Sequence, residues 1–172
     1  MALRTDTLDL PRLSLSSGQG RRLDLHVHID PFAFGGQEYA VGPDLVEARI
    51  DVSRMTGNGY ALRMRFAAEL SGPCARCLEP AGPGYEVDVR EVNQPGGGDE
   101  LTSPYVDGEE ELDVGHWARD ALALELPTTI TCRPDCAGLC AECGANLNED
   151  PEHAHEREPD ARWAKLSELK FD

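Results

Sequence analysis

The chain has 172 residues, 40% of them hydrophobic and 28% charged, and a formal net charge of −16. That length suits a single globular unit with its own core. No stretch approaches the roughly 20 apolar residues of a membrane helix, and the start Met1-Ala-Leu-Arg-Thr-Asp lacks the apolar run of a secretory signal, so a cytoplasmic protein without membrane partners is expected. The charge is uneven: residues 1–92 carry ten Arg, no Lys and thirteen acidic residues, net −3, and residues 93–172 carry six basic and nineteen acidic residues, net −13. An acidic second half suits a basic partner, and a near-neutral Arg-bearing first half can still meet phosphate.

The first half reads as antiparallel strands. Leu23, Leu25, Val27 and Ile29 alternate with polar residues, as do Val46, Ala48, Ile50 and Val52, and then Tyr60, Leu62, Met64, Phe66, Ala68 and Leu70. Gly57-Asn58-Gly59 is a hairpin turn signal. If it forms the loop by itself, Val52 meets Met64, Ile50 meets Phe66, and Asp51 lies opposite Arg65. The hairpin leads into Cys74-Ala-Arg-Cys77, followed by a strand in which Tyr85, Val87 and Val89 alternate with charges. Residues 93–111, with Gly96-Gly97-Gly98 and many acids, read as a flexible acidic connection.

Beyond that connection, Asp113 is a helix N-cap candidate, with Leu112 and Trp117 at the spacing of a hydrophobic staple. Val114, Trp117, Ala118, Ala121 and Leu124 form the expected buried face, and Pro127 ends the helix. A short extended piece, 128–131, delivers the chain to Cys132, Cys136, Cys140 and Cys143, with His153 and His155 beyond. A last short helix is expected over 160–171, with Trp163, Leu166 and Leu169 on one face. The fold class is therefore α+β: a β-rich, barrel-like or meandering scaffold over 1–92, the connection 93–111, and 112–172 holding a helix, a Cys/His knuckle and a terminal helix, all within one domain of 1–172.

Six cysteines and His153-Ala-His155 give eight soft donors, enough for two tetrahedral zinc ions. A two-residue gap lets both sulfurs of a C-x-x-C turn reach one ion, and Gly144 after the second Cys suits the tight turn that follows. Cys140, Cys143, His153 and His155 make a self-contained site. Cys74 and Cys77 then need Cys132 and Cys136, which makes the second site a clip between the strand corner and the segment after the helix. Such sites have all four positions filled by protein, which points to structural metal and to no catalytic residue.

Other readings compete. A thiol-disulfide oxidoreductase using Cys74 and Cys77 needs the first Cys at a helix N-terminus, and Pro80 and the following strand oppose that helix. Disulfides need an oxidising compartment that the N-terminus does not indicate. A zinc-stabilised protein-interaction module is a further reading that the motifs alone leave open. His26 and His28 read as surface residues on a strand, His116 has no evident partner, and Trp117 and Trp163 read as core anchors. Arg49, Arg54, Arg63 and Arg76 lack a sequence-evident partner, which makes them the candidate phosphate contacts.

Cys74-Ala-Arg-Cys-Leu-Glu-Pro80 and Cys132-Arg-Pro-Asp-Cys-Ala-Gly-Leu-Cys-Ala-Glu-Cys-Gly-Ala-Asn-Leu-Asn148, with Asp160-Ala-Arg-Trp-Ala-Lys-Leu166, resemble the YceD-like proteins, the large-ribosomal-RNA accumulation family of bacteria and plastids. The order of parts is similar too, and the resemblance covers about residues 60–170. It implies a non-enzymatic ribosome-biogenesis factor in the processing and accumulation of large-subunit ribosomal RNA. Its expected partner is that RNA or a basic ribosomal protein, with no small-molecule substrate. The family tail ends in a further Cys-x-Cys where this chain has His153-Ala-His155, an exchange that zinc accepts.

Overall fold

Residues that alternate apolar and polar give a strand one face to bury, and long alternation gives a long strand. The computed structural model describes residues 4–155. It contains strands Thr7–Asp9 (β1), Gly20–Val27 (β2), Phe32–Phe34 (β3), Gln37–Gly42 (β4), Val46–Arg54 (β5), Tyr60–Pro73 (β6), Pro80–Ala81 (β7), Gly84–Asn93 (β8) and Glu111–Asp113 (β9), and the helix Val114–Glu125 (α1). By its contacts the chain divides into two units, Met1–Cys136 and Ala137–Asp172, and all these elements lie in the first. The expected terminal helix, with Trp163, Leu166 and Leu169, lies outside the described residues. Among the described residues no helix is long and apolar enough to cross a membrane.

β6 organises the first unit. Its 14 residues pair antiparallel with β4, β5, β7 and β8, and the sheet runs β2-β5-β6-β4-β3 with β7 and β8 also on β6. It is mostly antiparallel, as the alternation predicts, and stays open instead of closing into a barrel. β1 and β9 form a separate two-stranded ribbon. The inward residues Ile50, Val52, Leu62, Met64 and Leu70 are at most 2% exposed, and each such side chain contributes about 1.5–3 kcal/mol on burial.

The β5–β6 register differs from the expected one by two residues. Ile50 pairs with Met64, Val52 with Leu62 and Asp51 with Arg63. Arg54 pairs with Tyr60, so the connection spans 55–59; the Met55 N–H donates to the Gly59 carbonyl at 2.8 Å, and Gly57 and Asn58 take left-handed φ of 78° and 63°. A slip of two leaves every residue on its own face, so the apolar pattern cannot distinguish the registers.

α1 begins as expected, with the Asp113 carboxylate accepting the His116 N–H at 2.9 Å. Its buried residues are Val114, Trp117, Ala118, Ala121 and Leu122, whereas Leu124 is 83% exposed. At about 100° per residue, Leu124 falls roughly 90° from the centre of the buried stripe, and Leu122 lies nearer to it. The segment 93–111 contains one 3-10 turn, Asp99–Leu101, and buries Ser103 and Val106. The buried Asn93 side chain accepts the Ser103 N–H at 3.3 Å.

Candidate metal centre

Two groups of four donors assemble, and in each the donor atoms all lie within 4.8 Å of one another. The first, in unit one, is Cys74, Cys77, Cys132 and Cys136. Cys74 and Cys77 flank the corner between β6 and β7, while Cys132 and Cys136 come from the chain beyond α1. The Cys74 and Cys136 sulfurs are 3.8 Å apart and those of Cys77 and Cys132 3.6 Å. A tetrahedron with metal–sulfur bonds of about 2.3 Å has edges of about 3.8 Å. These separations therefore match thiolates sharing one ion, and they are far longer than a disulfide bond. Cys74, Cys77 and Cys136 are buried and Cys132 is the most open.

Backbone contacts hold the two halves of this quartet together. The Ala75 N–H donates to the Ile130 carbonyl at 2.8 Å, and the Arg76 guanidinium donates to the Cys136 carbonyl at 2.8 Å. Burial opposes charge on Cys74, but N–H groups of Cys77, Arg76 and Cys132 outweigh it and bring the thiol down to about 6. Burial and the crowding thiols of Cys77, Cys136 and Cys74 push Cys132 up to about 12. Four close thiols cannot all ionise without a cation among them, and a divalent ion supplies that compensation.

The second group, in unit two, is Cys140, Cys143, His153 and His155. Both imidazoles present Nε2: His155 lies 3.2 Å from the Cys140 sulfur, His153 lies 3.2 Å from the Cys143 sulfur, and the two Nε2 atoms are 3.1 Å apart. The outer nitrogens face carboxylates, His153 Nδ1 towards Asp150 at 3.7 Å and His155 Nδ1 towards Glu142 at 3.5 Å. Carboxylates behind ligating imidazoles fix the tautomer and strengthen the ligand. N–H groups of Cys143 and Glu142 bring the Cys140 thiol down to about 6. Both donor sets, four thiols and two thiols with two imidazoles, suit tetrahedral zinc, and both groups could hold a metal ion.

The two C-x-x-C turns share one backbone scheme. In the first, the Leu78 N–H donates to the Cys74 carbonyl at 3.0 Å and the Cys74 N–H to the Glu79 carbonyl at 2.7 Å; in the second, the Gly144 N–H donates to the Cys140 carbonyl at 2.9 Å and the Cys140 N–H to the Ala145 carbonyl at 2.8 Å. The fifth residue takes a left-handed φ in both, 63° at Leu78 and 75° at Gly144. Sequence reading finds the Gly and misses Leu78, because a leucine gives no sign of that conformation. It also misses Glu142 and Asp150, which are legible only as acids beside ligands.

The four arginines without a sequence-evident partner each find one in the structure. Arg49 pairs with Asp24 at 2.8 Å and Arg63 Nε meets Asp88 at 2.7 Å. Arg54 reaches Glu110 at 3.8 Å and lies 4.3 Å over the Tyr60 ring, and Arg76 holds the Cys136 carbonyl. Arg65 does meet Asp51, at 2.6 Å, but diagonally. Arg22 and then Arg65 hold the Asp51 carboxyl below the usual carboxylate range, and Arg63 does the same for Asp88. His116 faces Asp120 at 3.3 Å. His26 lies 3.8 Å from Glu47, and His28 Nδ1 is 3.0 Å from the Asp44 carbonyl. Trp117 is a core anchor, fully buried.

Comparison with known proteins sets these centres in context. The family model for the large ribosomal RNA subunit accumulation protein YceD matches residues 62–170, well over half of the chain, and that range contains all eight donors. An uncharacterised protein of Mycobacterium tuberculosis is 35% identical over 169 residues, covering 95% of this chain and 80% of that protein. The chloroplastic large ribosomal RNA subunit accumulation protein YCED homolog 1 of Zea mays is 44% identical over 50 residues, 29% of this chain and 16% of that protein. Its Arabidopsis thaliana counterpart is 35% identical over 60 residues, 35% of this chain and 19% of that protein. No solved structure matches.

Proposed function

The chain belongs to the YceD family, and from that premise we propose that it is a non-enzymatic factor in biogenesis of the large ribosomal subunit, supporting processing and accumulation of large ribosomal RNA. Two structural zinc ions hold its C-terminal half, one on Cys74, Cys77, Cys132 and Cys136 and one on Cys140, Cys143, His153 and His155. The observation that carries the reading is the co-occurrence of a family match over residues 62–170 with two close groups of four donors inside that span. Each quartet fills its coordination shell with protein donors, the arrangement of a structural site; a catalytic zinc keeps a position open.

In this role the first ion fastens the β6–β7 corner to the segment after α1, and the second supplies a rigid centre to the described part of unit two, where only Gly138 is buried. The partner is large-subunit ribosomal RNA or a basic ribosomal protein, met in the cytoplasm. Deleting the gene and quantifying mature large-subunit against small-subunit ribosomal RNA tests the role, with a selective fall in the large-subunit species expected. An unchanged ratio overturns it. Elemental analysis of protein purified without chelator tests the metal, and two zinc ions per chain are expected.

A further inference from the structure

The outward face of β2, β5, β6 and β8 is laid out in cross-strand rows. One row is Arg22, Asp51, Arg63 and Arg90; the next is Asp24, Arg49, Arg65 and Asp88. Five arginines thus face three aspartates, a local excess of two positive charges in a chain of net charge −16. The rows also place like charges directly opposite one another twice, Arg49 across from Arg65 and Arg63 across from Arg90. Such pairs destabilise a sheet, and a local rule broken twice in adjoining rows marks a surface shaped by something other than stability.

The aspartates hold four of these guanidinium groups, those of Arg22, Arg49, Arg63 and Arg65, in place without exhausting them. Asp51 takes Nε of Arg22 at 2.7 Å and Asp24 takes Nε of Arg49 at 2.8 Å, which leaves the terminal amino groups with donors to offer. Exposed pairs of this kind are weak enough for a phosphate to share or displace them. Past the second row the charge reverses, with exposed Glu47 and Glu86 around the small Ala67. A trough of about 690 Å³ runs between them, lined by Arg49, Arg65, Ala67 and Glu86 among others. A polyanion is therefore drawn to the arginine rows and turned away from the far end.

We propose that this arginine face of the sheet, through Arg22, Arg49, Arg63, Arg65 and Arg90, docks the phosphate backbone of RNA, an inference that rests on the ribosomal reading above. It brings in Arg22, Arg65 and Arg90, which sequence reading did not nominate as phosphate contacts, and sets aside Arg54, which is turned towards Glu110 and the Tyr60 ring, and Arg76, which holds the Cys136 carbonyl. The contact is to backbone phosphates, so it positions the protein without reading bases.

The test measures binding of the full-length, zinc-loaded protein to transcribed large-subunit ribosomal RNA across a salt series. The double reversal R22E/R90E is expected to weaken binding roughly tenfold or more and to lower the log–log salt slope by about 2, while R12E, on an exposed 3-10 turn, leaves both unchanged. D24N, which removes an exposed carboxylate from the second row, is expected to tighten binding several-fold, an outcome that misfolding cannot produce. Wild-type binding that R22E/R90E and D24N both leave unaltered overturns the proposal, as does an absence of RNA affinity at low salt. Binding of a lysine-rich peptide in place of RNA, unweakened by R22E/R90E, overturns it as well. In each of these cases a selective fall in large-subunit RNA on gene deletion still upholds the ribosomal role, so the two failures are distinguishable.

Discussion

The two candidate centres share a turn and differ in everything around it. The four-thiol quartet joins residues 55 and 62 apart in sequence and sits against a sheet whose core residues are almost fully excluded from solvent. The thiol–imidazole quartet joins residues only 10 and 15 apart, and in unit two the only buried residue among those described is Gly138. An ion at the first centre would therefore trim a structure that has other reasons to fold, and one at the second would stand in for a core that the described residues of unit two do not form. The same hydrogen-bond scheme serves as an accessory in one place and as the foundation in the other.

The largest effect expected is at the exposed centre. Cys143→Ser should release its ion, halve the zinc content and remove all hydrogen-exchange protection over residues 137–155, because apparent binding energies of structural zinc are about 10 kcal/mol or more and little else orders that segment. Retention of two zinc ions per chain in this variant would break the comparison. Cys74→Ser should release the other ion and leave the sheet folded. Chemical denaturation of unit one is then expected to fall by about 4 kcal/mol, the contribution of closing a loop of that length, and exchange should rise over 130–136 while the β6 amides stay protected. Loss of β6 protection would show that the sheet depends on metal as much as the knuckle does.

Smaller changes refine the contrast. Glu142→Gln with Asp150→Asn should weaken zinc affinity at the exposed centre by about 10-fold to 100-fold and leave the four-thiol centre untouched, as competition with a chromophoric chelator would show; equal weakening of both would remove these carboxylates from the account. The smallest effects concern the fifth residue of each turn. Gly144→Ala places a Cβ at φ 75° and should loosen the second knuckle by about 1 kcal/mol, whereas Leu78→Gly relieves a left-handed leucine that is 61% exposed and should stabilise the first turn by about 1 kcal/mol or less. Thermal melts that move the same way for both would mean the turns are not equivalent.

Much of this organisation is legible in the amino-acid order. Alternation in 46–52 and 60–70 shows the hairpin, Asp113 and Pro127 bracket the helix, and the C-x-x-C spacings with elimination among six cysteines predict the quartets that the chain brings together. What stayed hidden has physical causes. A two-residue slip conserves faces, so register was not encoded in hydrophobicity. Leu122 and Leu124 lie on either side of the stripe and only packing chooses between them. The arginine partners Asp24, Asp88 and Glu110 come from distant elements, and no local pattern names them.

The span between Cys77 and Cys132 also sets an order of events during synthesis. A nascent polypeptide that has finished β6 and the corner beyond it offers an ion two thiolates and no more, a weak hold, until more than fifty further residues have left the ribosome. Secure capture of an ion there would wait for Cys132 and Cys136, so a product terminated before them would go without it. In that sense an ion at the first centre would report only that synthesis had passed Cys136.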